Sequence, residues 1–217
     1  MKISELKTYI NPTFILACLF VLMSFMLGAS LSNGLIIFLS WNMVLAITVY
    51  VLSVIVVILH KKKTHILWII LVLCIYVIFF PNSFYILTDF IHFEHYDFFN
   101  IYPSIYELDI YDWYVFFDIV VGALIGLKLG ILSIGHIKSI CSNQLKTYEY
   151  VGITALFVLS SVGIYLGRFI RLNSWNIFDL SYIFTSIFEH FRFFLMFVLL
   201  FTMIHMISYI LFKEKGE

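Results

Sequence analysis

Long apolar runs, not stripes, organise this chain. Six segments, at 14–31, 35–59, 66–90, 114–134, 150–167 and 191–212, carry almost nothing but hydrophobic side chains. Their apolar residues do not recur every 3.6 positions, so each predicted helix is apolar on all sides. Such a helix is either a membrane span or the core of a large protein. The chain has 217 residues, too few to wrap six buried helices in a water-soluble shell. Most of the runs reach the roughly 20 residues that cross ~30 Å of hydrocarbon. The predicted architecture is an all-α polytopic membrane bundle, one membrane domain over 1–217 with about six transmembrane helices.

The third run is irregular. Its uninterrupted apolar part, 66–80, covers only about 22 Å at 1.5 Å per residue. It has to continue past Pro81, which removes a backbone donor and kinks the helix. The alternative is a break at Pro81 followed by a separate short helix over 82–93.

Charge orients the bundle. Lys2, Lys7, Lys61, Lys62, Lys63, Lys138, Lys146, Lys213 and Lys215 all fall at one end of a six-span reading. Lys128, inside the fourth span, lies in the same half and can snorkel to that end. Positive residues mark the cytoplasmic side, so both termini are expected there. The opposite end holds the Ser32-Asn33-Gly34 turn, the loop 93–113 and the connection 168–190. It carries Arg168, Arg171 and Arg192 together with Glu94, Asp97, Glu107, Asp109, Asp112, Asp179 and Glu189. The first run follows two lysines, as in a signal peptide, but its length favours a retained helix.

Composition narrows the function classes. Charged residues make up 12% of the chain and the formal net charge is zero. No basic field exists to attract nucleic acid. Cys18, Cys74 and Cys141 are too scattered for a disulfide framework or a metal-ligand pair. No serine-nucleophile motif, P-loop, haem-ligand pair or dinucleotide fingerprint occurs, and neither cofactor nor metal is expected. Aromatic residues concentrate between Tyr85 and Phe117, which predicts an interfacial belt or a cap on the bundle.

Glycines predict where helices approach closely. Gly122, Gly126 and Gly130 form a doubled GxxxG in the fourth span, and Gly163 and Gly167 form another in the fifth. Such faces allow backbone contact between membrane helices. Packing within one bundle is the expected use, with the two spans touching each other or a common neighbour. The same faces would also suit an oligomer.

Candidate chemistry lies at the arginine end. Asn82, Tyr85, Asp89 and His92 are spaced 3, 4 and 3, so on an α-helix they share an arc of about 80°. Ionisable residues in spans face the bundle interior or an aqueous cavity. Asp89 and His92 are the candidate acid–base pair. Asp118 lies within the fourth span and calls for a partner, with Arg168 the first candidate and Arg192 the second. Arg168 and Arg171 present planar forks suited to carboxylate or phosphate. They would hold a lipid phosphate, or pair structurally with Asp89, Asp112 or Asp118. Asn82, Tyr85, Asp118, Arg168, Arg171, Asn173 and Trp175 form the candidate substrate-binding set. Two ligands, Asp89 and His92, are too few for a metal site; Glu94 and His95 could add ligands, though at no established spacing.

Two motifs carry a resemblance. One is Phe80-Pro81-Asn82 through Tyr85, Thr88, Asp89 and His92. The other is Gly163-Ile164-Tyr165-Leu166-Gly167-Arg168-Phe169 through Arg171, Asn173, Ser174 and Trp175. Together with Trp41-Asn42 they resemble the bacterial domain-of-unknown-function family 1361, from the second span to near the chain's end. The resemblance implies a multi-pass protein of the bacterial plasma (inner) membrane and no particular reaction. The family typically has an acidic residue after Asn-Ser-Trp, whereas this chain has Asn176, with Asp179 three residues on.

Three function classes fit these residues. The first is a protein that binds or processes an anionic lipid or lipid-linked substrate, the lipid headgroup being its expected partner. The second is a small-solute transporter or channel. It needs a polar path to the cytoplasmic side, for which Asn42, Ser53, Thr154 and His205 are the available residues. The third is a structural or assembly protein whose charges only fix helix pairing.

Overall fold

The computed structural model describes residues 8–96, 98–100, 105–106, 109–141, 148–171 and 180–213. Helix α1 spans Pro12–Ser30 and α2 spans Gly34–Lys61. Asn11 caps α1 by accepting the Phe14 N–H, and Pro12 occupies the first turn, where its missing N–H costs nothing. Leu31, Ser32 and Asn33 turn the chain between them. Ser32 takes a left-handed φ of 51°, and the Asn33 side chain caps α2 through Leu35 and Ile36. Helix α2 is the spine of the bundle, packing on α1, on the third span and on the fourth.

The third span breaks at Pro81. Helix α3, Ile66–Phe79, ends there. A single turn α4, Pro81–Tyr85, follows, and then a 3-10 helix, Ile86–His95. Phe80 keeps helical dihedrals (φ −51°, ψ −38°), so the chain runs on past the proline. The 3-10 coil rises ~2.0 Å per residue and so gains length that the short α-helix lacks. Asn82 Nδ2 donates to Phe79 O at 2.9 Å and Ser83 Oγ to Phe80 O at 2.8 Å. Side-chain donors thereby satisfy carbonyls around the break, as hydrocarbon surroundings require.

Helix α5, Ile110–Ile140, is longer at both ends than the run 114–134 predicts. Asp109 caps it by accepting the Tyr111 N–H at 2.9 Å, so 110–113 are helical and not loop. Helices α6, Glu149–Arg168, and α8, Phe191–Phe212, pack against each other. Between them lies α7, Leu180–Glu189, which the apolar runs do not announce. It buries Ile183 and exposes Tyr182, Phe184 and Phe188. The extended pairing among the described residues is one short ladder, β1 (Phe99–Asn100) against β2 (Ile105–Tyr106).

Six helical stretches are long and apolar enough to cross a membrane, with Ile66–His95 counted as one. Their lysine ends meet. Lys61 Nζ donates to Tyr9 OH at 3.2 Å and Lys128 Nζ to Phe212 O at 2.9 Å, and Lys138 pairs with Glu149 at 2.8 Å. Tyr9 and Lys213, near the two ends of the described chain, both lie on this side.

The glycine rows do not join α5 to α6. They close on a common neighbour, residues 81–86. A Cβ at Gly126 would lie 2.6 Å from Ile86 Cδ1 and 3.1 Å from Ser83 O. A Cβ at Gly163 would lie 2.8 Å from Pro81 Cγ. Gly122 instead faces the Phe20 ring of α1. The broken span is thus wedged between two glycine faces, over a core of Tyr76, Phe80, Phe84 and Phe157. His205 belongs to this core, stacked on Phe84 at 3.9 Å with its Nε2 on Ser160 Oγ at 2.8 Å.

Candidate functional site

The 3-10 helix decides which side chains meet. With three residues per turn, positions i and i+3 eclipse. Tyr85 and Thr88 therefore stand on one edge, and Asp89 and His92 on the next. Gly163 and Gly167 bring α6 against this segment, and α6 ends at Arg168. Its guanidinium reaches both edges. Nε donates to Thr88 Oγ1 at 2.8 Å, and Nη2 donates to Thr88 Oγ1 and, at 2.5 Å, to Asp89 Oδ1. The same group lies over the Tyr85 ring, 4.6 Å from its centroid. Thr88 donates its own proton to Tyr85 O at 2.7 Å, so its lone pairs are aimed at the arginine.

Asp89 is fully buried. Its second oxygen accepts from Asn42 Nδ2 of α2 at 2.7 Å. Both carboxylate oxygens are therefore occupied, and one buried ion pair ties α2, the third span and α6 together. Arg168 keeps 14% of its side chain exposed. Its Nη1 makes no hydrogen bond among the described residues.

The remaining candidates distribute unevenly around this pair. His92 is half-buried, and its Nε2, itself buried, has no hydrogen-bond partner among the described residues. Arg171 is exposed, at a left-handed φ of 54°, three residues beyond Arg168. Asn82 spends its amide on Phe79 O and serves the helix break. Asn173 and Trp175 lie outside the described residues. Asp118 is apart from the cluster. It accepts from Ser24 Oγ of α1 at 2.5 Å, and its other oxygen is buried without a partner among the described residues. The expected pairing of Asp118 with Arg168 is therefore wrong, because Arg168 is committed to Asp89 and Thr88. Arg192 does not supply the partner either, being exposed at the start of α8.

Two members of the cluster, Asn42 and Thr88, were not among the candidate site residues. Asn42 had a signal, as an amide within an apolar run that needs a hydrogen-bond partner. Thr88 stands in the family-resembling motif, between Tyr85 and Asp89. Among the described residues, no three His, Cys, Asp or Glu side chains converge as metal ligands.

The family model described as "Protein of unknown function (DUF1361)" matches residues 41–208. The chain belongs to the DUF1361 family. No curated protein and no solved structure matches it. In this DUF1361 chain every residue of the arginine cluster, from Asn42 to Arg168, falls inside the matched span. Helix α1, which supplies Ser24 to Asp118, falls before it.

Proposed function

We infer that this DUF1361 protein binds an anionic lipid or lipid-linked substrate at its arginine end and acts on it there. The supporting observation is the fixed guanidinium of Arg168. Thr88, Asp89 and Tyr85 hold it in one orientation, and the exposed Arg171 follows three residues along the chain. A preorganised fork of this kind suits phosphate oxygens better than a mobile ammonium does. With the lysine side cytoplasmic, the site faces the outer leaflet of a bacterial plasma membrane. In this reading Asp89 positions Arg168, His92 carries the proton through its unpaired Nε2, and Arg171 gathers the headgroup.

Transport is less well supported. Asn42, Ser53, Thr154 and His205 do not line one path. Asn42 is used by Asp89, Ser53 by His136, Thr154 by its own helix at Tyr150 O, and His205 by Ser160. The buried rings of Phe80, Phe84 and Phe157 fill the space between the two ends. A purely structural role has one specific observation in its favour, the complete burial of Asp89.

The test uses full-length protein in nanodiscs of phosphatidylcholine with a minor fraction of phosphatidylglycerol. Arg168→Lys combined with Arg171→Ala keeps a cation beside Asp89 but removes the fork and the exposed charge. Loss of phosphatidylglycerol enrichment around the folded variant supports lipid recognition. An unchanged lipid profile, with function retained when Asp89 and Arg168 are exchanged, leaves the structural role.

A further inference from the structure

A second feature lies at the opposite end of the bundle, where α3, α5 and α6 do not close on one another. They leave a slot of about 460 Å³, within the ~300–1,000 Å³ of small-molecule sites. Its walls are apolar, including Leu73 and Val77 of α3, Ile137 of α5, and Ile153 and Leu156 of α6. Tyr76 forms its floor, with its hydroxyl on Ser133 Oγ at 3.0 Å. A Cβ built at Gly152 on the α6 wall meets nothing within 4 Å. Unlike the glycines that clamp residues 81–86, this one borders empty space.

The mouth is charged. Lys138 lies there, paired with Glu149 and donating to Tyr209 OH at 3.1 Å, which leaves one of its three N–H donors without a partner among the described residues. Lys213 lies over the same Tyr209 ring, 5.9 Å from its centroid, and Lys138 approaches that centroid at 5.8 Å. Among the described residues the rim carries two ammonium groups, of Lys138 and Lys213, against the one carboxylate of Glu149. Leu73 and Val77 lie about two to three turns into α3, so the slot descends into the leaflet on the lysine side. An apolar recess at that depth is filled by hydrocarbon, not water.

We propose that this slot holds one acyl chain of an anionic membrane phospholipid, with its phosphate between Lys138 and Lys213. The two parts of the site divide the recognition. The slot takes the chain irrespective of headgroup, and the rim selects negative charge.

The experiment uses the full chain in nanodiscs, with phosphatidylglycerol or phosphatidylcholine bearing a photoactivatable diazirine in one acyl chain, and maps the adducts by peptide mass spectrometry. Adducts at Leu73, Ile153 and Leu156 are expected, about fivefold more with phosphatidylglycerol, the order that one lysine contributes at an anionic surface. Gly152→Trp fills the slot and should abolish those adducts, while labelling of the exposed Leu199, Leu200 and Met203 on α8 persists and reports an intact fold. Lys138→Gln with Glu149→Gln and Lys213→Gln should keep the slot adducts and remove the headgroup preference. Slot residues that stay unlabelled overturn the proposal. Slot labelling that survives Gly152→Trp shows general bilayer contact only and overturns it as well. Equal labelling by the two lipids in the unaltered chain overturns the anionic assignment.

Discussion

Arg168 and Asp89, 79 residues apart in sequence, meet Nη2 to Oδ1 at 2.5 Å across the contact between α6 and the third span. Asn42 closes the far side of the carboxylate at 2.7 Å. One side chain from each of three spans meets here, as Lys138, Glu149 and Tyr209 do at the lysine end. The proline break makes it possible. A continuous α-helix would place Thr88 and Asp89 100° apart with Tyr85 displaced from Thr88, whereas the 3-10 coil stacks Tyr85 under Thr88 for a single guanidinium.

Removing one member of this pair strands the other. Asp89→Ala leaves a guanidinium with a mostly buried contact edge, and Arg168→Ala leaves a buried carboxylate. Each is expected to cost about 3–5 kcal/mol. The double variant Asp89→Asn with Arg168→Gln should cost clearly less than the sum of its single changes. Thermal unfolding in detergent, run as a double-mutant cycle, measures the difference. Additive losses would mean that the two side chains do not interact.

Arg168→Lys separates charge from shape. An ammonium can still face Asp89, but it loses the Nε contact to Thr88 and the planar stack on Tyr85. A loss of about 1–3 kcal/mol is expected. Thr88→Val should cost about 1 kcal/mol in the native background and much less when Arg168 is already lysine. Equal costs in both backgrounds would show that Thr88 does not support the arginine.

The sequence carried most of the fold because hydrocarbon imposes a simple rule: a spanning segment must be apolar and helical. Run lengths located six spans, and the lysine distribution grouped their ends. It carried less of the site. The arc drawn through Asn82, Tyr85, Asp89 and His92 assumed 3.6 residues per turn, and the chain uses three from Ile86 onward. The pairing of Asp118 failed for a related reason. The glycines of α5 and α6 were legible as close-contact faces, but nothing in a one-dimensional pattern says that a third element, residues 81–86, fills the gap between them. Helix α7 does not stand out because its 10 residues are too short for a spanning run and are interrupted by Ser181, Thr185, Ser186 and Glu189.

Gly163 and Gly152 lie on the same helix and should respond oppositely to one methyl group. At Gly163 the Cβ would meet the rigid Pro81 ring at 2.8 Å, so Gly163→Ala should destabilise by about 1–3 kcal/mol. At Gly152 the Cβ meets nothing within 4 Å, so Gly152→Ala should be neutral or stabilise by up to about 1 kcal/mol through helix propensity. Unfolding temperatures of the two variants in the same detergent decide the matter. A loss at Gly152 as large as that at Gly163 would contradict the open slot.

Asp118 offers the sharpest contrast with Asp89. Both carboxyls are buried within apolar helices, yet among the described residues Asp118 has only the Ser24 hydroxyl, at 2.5 Å, and its second oxygen has no partner. An unpartnered polar atom in such surroundings is a cost to the fold, not a support. Asp118→Asn keeps the shape and an acceptor for Ser24 while removing any negative charge. It is expected to be at least as stable as the native chain, whereas Asp89→Asn weakens the arginine contact. Ser24→Ala should destabilise by about 1–3 kcal/mol, since it strands the remaining oxygen of Asp118. That penalty should shrink once position 118 is leucine, because no buried acceptor is then left without a donor. The four variants in one unfolding series give the sign directly. A marked loss on Asp118→Asn would show that the carboxylate holds a cation after all.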